Sequence, residues 1–141
     1  MTVLVDTLLT NCKLVDVVRR KVIEQDIGIQ DGFFILNAAQ GKNEINLHGA
    51  YVSPGFIDAH MHVESTMLPP TSFAALSVPH GTTSVILDPH EIANVMGIQG
   101  IELLYEDAQN LPIDFFFMAS SCVPASPLET SGANLSADDL E

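Results

Sequence analysis

The sequence predicts an α/β fold: the opening strand–helix units of a (β/α)8 TIM-type barrel, placed behind a small β-rich segment. Three observations carry this expectation. Val52–Glu64 sorts, as a strand, into an apolar side (Ile57, Ala59, Met61, Val63) and a side that ends in chemistry (Phe56, Asp58, His60, His62, Glu64); successive residues of a strand face opposite ways. Beyond it, apolar β-branched runs alternate with segments of helical period. Each such run closes on polar side chains, as barrel strands do at their C-terminal ends.

Residues 1–51 read as a β-rich segment resembling one part of a small sandwich. Val3–Val5 and Thr7–Leu9 are apolar pieces, and Lys21–Ile29 has strand-like content. Asp31-Gly32 separates it from Phe33–Leu36, and Asp-Gly between apolar runs signals a hairpin because the turn needs positive φ. Phe33 and Phe34 leave two readings open: an exposed aromatic patch, or a strand buried on both faces.

Residues 52–141 read as three β/α units. After the first strand, Pro69-Pro70 suits the start of a short helix over 71–78, because the missing N–H of Pro is no loss in a first turn. Pro79 and Gly81 end it. Thr82–Leu87 is β-branched and apolar, as a buried parallel strand is, and it closes on Asp88-Pro89-His90-Glu91. Residues 92–110 have helical period, with Ile92, Val95, Met96, Ile101, Leu104 and Ala108 as the expected inner face and breaks at Gly97 and Gly100. Ile113–Ala119 is a third apolar strand, and Ser120-Ser121-Cys122 is its polar end. Ser136 and Asp139 have the spacing of a capping box, so a helix is expected to begin there. A complete barrel takes ~250 residues. At 141 residues the chain is therefore expected to be an N-terminal part, with three of eight strands and the barrel incomplete.

Composition narrows the function classes. The chain is 47% hydrophobic with a formal net charge of −13. Its basic residues are Lys13, Arg19, Arg20, Lys21 and Lys42, and none follows. Such a surface repels phosphate backbones, so neither nucleic acid nor an anionic membrane is an expected partner. No apolar run reaches the ~18 residues of a membrane span. Cys12 and Cys122 make no disulfide framework, and the N-terminus lacks the basic, then apolar, pattern of a signal peptide. A reduced, cytoplasmic setting is expected.

The chemistry centres on His60 and His62. Two imidazoles two residues apart reach one ion when the backbone is extended, and neutral imidazole is a common ligand for divalent metals. Asp58 is expected to orient an imidazole or bind backbone. Glu64 is either an outer support of the metal or a solvated carboxylate. His90 and Glu91 either ligate metal or touch substrate, while Asp88 and Glu91 could instead cap the following helix. Glu129 lies in a later loop. Cys122 has no evident activating base, and His48 and His80 read as structural.

Pro54-Gly55-Phe56-Ile57-Asp58-Ala59-His60-Met61-His62 resembles the first-strand signature of the amidohydrolase superfamily. His62–Leu68, Pro79–Thr83, Asp88–Val95, Ser121–Ala125 and Glu129–Ala133 resemble, more narrowly, its microbial adenine deaminase branch. The resemblance implies metal-dependent conversion of adenine to hypoxanthine and ammonia, in purine salvage. It implies a divalent metal, Mn²⁺ first and Fe²⁺ or Zn²⁺ next, with His60 and His62 as ligands and further ligands from later strands. It implies roles in catalysis for His90 and Glu91, with Asp58, Glu64, Asp88 and Glu129 supporting the metal or touching the purine. Adenine is then the small-molecule partner, and a homo-oligomer is compatible with it. Two other readings stand beside this one: a different cyclic-amide or amidine hydrolase of the same superfamily, and a non-catalytic piece.

Overall fold

Leu4–Thr10 forms strand β1 and organises the first of two units in this computed structural model, which describes residues 4–140. The units comprise residues 1–54 and 55–141. Val3 and Glu141 lie outside the described residues.

In the first unit β1 pairs antiparallel with β4 (Ile27–Gln30) and parallel with β6 (Gln40–Asn46). β5 (Phe33–Ile35) extends this sheet to the order β5-β4-β1-β6. A second sheet has β2 (Lys13–Asp16) between β3 (Lys21–Glu24) and β7 (Tyr51–Val52). Val5, Leu8 and Ala38 form a buried cluster with Ile35 packed on it. The stretch 21–29 is not one strand. It breaks at Gln25-Asp26, where Cys12 Sγ donates to the Gln25 carbonyl at 3.0 Å and the Asn11 N–H donates to Asp26 Oδ1 at 3.0 Å. These bonds turn the chain from one sheet to the other.

The Asp-Gly hairpin forms as its chemistry requires. Asp31 and Gly32 have φ of 51° and 79°, and Gln30 pairs with Phe33 across the turn. Phe33 and Phe34 are 73% and 69% exposed, which selects the exposed patch over the doubly buried strand.

The second unit is a parallel sheet in the order β10-β9-β8 with helices between the strands. β8 is Phe56–Met61, β9 is Thr82–Leu87 and β10 is Asp114–Phe117. Helix α1 (Pro70–Ser77) follows β8, with Pro70 in its first turn, and Gly81 at φ 96° ends the short 3₁₀ turn after it. Helices α2 (His90–Met96) and α3 (Ile98–Asp107) follow β9. The break between them falls at Gly97 alone, at φ 65°. Gly100 sits inside α3, where a Cβ would lie 2.8 Å from Ile92 Cγ1. Gly100 therefore serves close helix contact rather than a break.

The core explains why β9 is central. Val85 and Leu87 are fully buried, one against Ala74 and Ile113, the other against Val63 and Leu104. Met61, Phe73 and Phe115 join both clusters. Two expectations for the inner faces need correction. Val95 and Met96 are exposed at 69% and 43%, and Ala93 takes the buried position of α2 instead. The Gly97 break resets the helical phase, so one continuous 3.6-residue period does not run through both helices. In β8, Met61 is packed but Ile57 is 66% exposed and Ala59 is also exposed.

The register accounts for β8. Asp58 pairs with Val85 and Met61 with Leu87, so β8 carries one more residue than β9 over this interval. An inserted residue breaks simple alternation. The strand ends at Met61, and Glu64 opens a 3₁₀ turn (Glu64–Thr66). Asp58 and Glu64 thus do not continue one face with His60 and His62. At the far end, Ser136–Leu140 is a turn rather than a helix. Asp139 Oδ2 accepts from both the N–H and the hydroxyl of Ser136 at 2.7 Å. These bonds to Ser136 hold the Asp139 carboxyl below its usual range.

Candidate metal centre

The C-terminal ends of β8 and β9 bring three imidazoles into a row. The His60 and His62 rings are 4.9 Å apart at 83°, and those of His62 and His90 are 4.6 Å apart at 79°. The ladder fixes this end of the sheet: the Asp88 N–H donates to the Met61 carbonyl at 3.0 Å, and the Met118 N–H donates to the Leu87 carbonyl at 2.8 Å. His60 is exposed, whereas His62 and His90 are half-buried.

Two donor groups result. His60, His62 and Asp88 each offer a ligand atom within 4.8 Å of the other two, and so do His62, His90 and Glu91. His62 belongs to both groups and is their hinge. Its Nδ1 lies 2.7 Å from the Asp88 carbonyl oxygen. His90 Nδ1 lies 3.1 Å from Asp88 Oδ2, and the Ser120 hydroxyl donates to Asp88 Oδ1. Burial pushes the Asp88 carboxyl up, toward its protonated form. The bonds from Ser120 and His90, with the charges of His90 and His62, outweigh burial and hold this carboxyl below its ordinary range.

The remaining carboxylates take distinct places. Asp58 Oδ1 accepts from the His60 N–H at 3.2 Å, so it touches backbone. Glu64 Oε1 accepts from the Ile92 N–H in the first turn of α2 at 3.3 Å, and its Oε2 is buried with no hydrogen-bond partner. Glu91 Oε1 accepts from the Ser65 hydroxyl at 2.6 Å. Pro89 holds the N-cap position of α2 without a side-chain bond, and Glu91 lies in the first turn, where an acidic group suits the helix dipole. Glu129 is exposed in the loop after β10 and belongs to neither donor group.

The donor set suits a divalent ion. It mixes imidazole nitrogen with carboxylate oxygen, the pairing that zinc, manganese and iron share. A buried carboxylate oxygen without a partner is costly unless something cationic or donating offsets it, and Glu64 Oε2 is such an atom beside α2. No Lys or Arg follows Lys42 to offset it, and Glu64 itself belongs to neither donor group. His60, His62, His90, Asp88 and Glu91 are the residues that could hold the ion.

Sequence reasoning placed Ser120 at the polar end of the third strand without giving it a role, and gave none to Ser65 or the pair Asn94–Ser131. Ser120 is 4% exposed and is the first polar residue after the third apolar run, which is the signal that could have marked it. Asn94 Nδ2 donates to the His90 carbonyl at 2.9 Å, and the Ser131 hydroxyl lies 3.0 Å from Asn94 Oδ1. Both lie in stretches quoted above for their resemblance, yet spacing alone does not reveal that they meet.

Comparison with known proteins bears on the same stretches. The chain is 49% identical over 138 residues to the adenine deaminase of Syntrophobacter fumaroxidans, covering 97% of this chain and 24% of that protein. It is 50% identical over 135 residues to the adenine deaminase of Clostridium acetobutylicum, covering 94% of this chain and 24% of the relative. The chain thus spans about a quarter of the length of the curated relatives it matches. Among solved structures, N-acyl-D-glutamate deacylase of Bordetella bronchiseptica, in complex with zinc and a phosphonate inhibitor, superposes with a TM-score of 0.58 at 17% identity. That match covers 81% of this chain and 29% of the deacylase, and supports the α/β fold alone. Residues 51–140, which hold every member of the imidazole row, match the Amidohydrolase family model, and the chain belongs to that family.

Proposed function

We propose that this chain is part of an adenine deaminase, which adds water at C6 of adenine and releases hypoxanthine and ammonia. The observation that carries this reading is 45–50% identity to curated adenine deaminases across nearly the whole chain. The three-imidazole row at one end of a parallel sheet supports it chemically. In this reading the second unit supplies the first three strands of a (β/α)8 barrel, and residues 1–51 within the first unit are part of a small sandwich.

The amidohydrolase family implies a divalent metal; we assign Mn²⁺ first, with Fe²⁺ or Zn²⁺ as alternatives. Such an ion would make a coordinated water more acidic and polarise the bond under attack. His60 and His62 hold it through ring nitrogens. Glu91 and His90, at the mouth of the sheet, accept and return the proton that moves from water to the departing amine, or bind the purine edge. Asp58 fixes the backbone at His60, and Glu64 fixes the start of α2. Asp88 lies within ligand reach of His60 and His62, and Glu129 contacts purine only if its loop folds inward. The substrate is the free base, which needs no basic surface; the absence of Lys and Arg from Asn43 onward agrees with that. Among the described residues no helix is long and apolar enough to cross a membrane. We place the protein in the cytoplasm, compatible with a homo-oligomer.

The test follows adenine absorbance with the metal-loaded protein that contains this chain. His60→Ala and His62→Ala are each expected to lower turnover by more than the ~10–100-fold typical of outer-shell changes at metal sites. A loaded protein that leaves adenine unchanged would falsify the reading.

A further inference from the structure

We propose that Ser120 and Asp88 are positioning residues that hold His62 and His90 in one tautomer, leaving Nε2 of His62 free to face the ion and Nε2 of His90 free as the site's basic nitrogen. This rests on the metal-dependent reading above and goes beyond it, since it assigns Asp88 to the rings rather than to the metal.

The argument starts at the oxygens. A carbonyl oxygen can only accept, so the 2.7 Å contact from His62 Nδ1 to the Asp88 carbonyl requires the hydrogen on Nδ1. An ionised carboxylate also only accepts, so the 3.1 Å contact from His90 Nδ1 to Asp88 Oδ2 requires the same of His90. A neutral imidazole with its hydrogen on Nδ1 has its lone pair on Nε2. One residue therefore sets two rings, one through its backbone and the other through its side chain.

Ser120 fixes that residue. Its hydroxyl donates to Asp88 Oδ1, and the side chain is 4% exposed, so water does not compete freely for the bond. The Asp88 backbone is tied to β8 through Met61, and β10 is tied to β9 through Met118 and Leu87. All three strands thus meet around Asp88. Both oxygens of its carboxylate are committed to Ser120 and His90, whereas its distance to His60 and His62 would also allow it to be a direct ligand. The two roles predict different variants.

The experiment uses the protein that contains this chain. Mn²⁺ binding is measured by calorimetry for wild type, Ser120→Ala, Ser120→Thr and Asp88→Asn. Ring tautomers are read from histidine ¹⁵N shifts in the metal-free protein, and thermal melts accompany each variant. Outer-shell changes at metal sites typically cost ~10–100-fold in affinity. Ser120→Ala is expected to weaken Mn²⁺ binding by ~10-fold with stoichiometry and melting unchanged. Ser120→Thr, which keeps the hydroxyl, is expected to restore it. Asp88→Asn keeps an acceptor for His90 and is expected to retain stoichiometry. Wild-type affinity in Ser120→Ala, hydrogen on Nε2 of either ring, or an Asp88 carboxylate oxygen bonded to Mn²⁺ in the loaded crystal structure overturns the assignment, as does failure of wild type to bind Mn²⁺. A protein that binds Mn²⁺ as described but does not consume adenine defeats the proposed activity and leaves this assignment intact.

Discussion

The Gly132 N–H donates to the Asn94 carbonyl at 2.8 Å, and a Cβ on Gly132 would lie 2.7 Å from the Val95 carbonyl oxygen and 3.0 Å from that of Asn94. The loop after β10 thus lies directly on the backbone of α2, the helix that begins with His90 and Glu91. The obstructing atoms are helix backbone, which cannot turn aside as a side-chain tip can. Gly132→Ala is therefore expected to destabilise the protein by ~1–3 kcal/mol, the usual cost of forcing an extra carbon into a packed site. Chemical denaturation checks it. A midpoint equal to wild type would mean that the loop does not rest on the helix in solution.

His60 and His90 hold opposite ends of the imidazole row, with His62 between them. Loss of a shared ligand should harm both donor groups, and loss of an end should harm one. His62→Ala is expected to abolish Mn²⁺ binding, while His60→Ala and His90→Ala each leave weaker binding. Calorimetric titration of the three variants separates the cases. Equal, complete loss in all three would point to one site that needs every ring, and unchanged binding in His60→Ala would move the ion to the His90 side.

How far these features are legible in sequence follows from their range. The strand ends that carry His60 and Asp88 follow from apolar runs and their polar closure, and Asp31-Gly32 follows from local turn chemistry. The bulge in β8 does not, because it is set by pairing with β9 and leaves no mark in the order of residues. The phase reset at Gly97 was marked by a glycine, yet Gly100 carries the same mark for a different reason, contact with Ile92. Ser120 meets Asp88 from 32 residues away. Such partners are fixed by strand order, and a single sequence does not specify strand order at side-chain resolution.

Cys12 and Cys122 should differ in reactivity. Cys12 is 3% exposed, and burial, with the nearby Asp26 charge, pushes its thiol up from the ordinary range. Thiolate is the reactive form, so in the native protein iodoacetamide is expected to modify half-buried Cys122 before Cys12. The sign for stability follows. With the folded value raised, the unfolded thiol ionises first as pH rises. The stability from burying Cys12 is thus complete below the unfolded thiol value of ~8.5 and is lost as pH climbs through the folded value. Mass spectrometry of alkylated peptides, with melts between neutral and alkaline pH, tests both. Equal labelling of the two cysteines in the native state would contradict the buried placement of Cys12.

The outer edges of β8 and β10 carry no partner strand among the described residues, since β9 alone lies between them. Phe56 and Ile57 on β8 are 65% and 66% exposed, and Phe116 on β10 is 57% exposed. Unpaired N–H and C=O groups beside apolar side chains are a template for pairing with another chain. The acidic surface opposes association through net charge, but repulsion among exposed charges is screened beyond ~8 Å at physiological salt, whereas edge pairing acts at contact. The 141-residue chain expressed alone is therefore expected to self-associate, more strongly as salt rises, and to leave adenine unchanged. Charging the edges should reverse this: Ile57→Lys and Phe116→Lys together are expected to shift sedimentation toward the monomer. A wild-type chain that sediments as a monomer at high salt and melts cooperatively would show that the edges are protected and that the exposed apolar residues have no part in association.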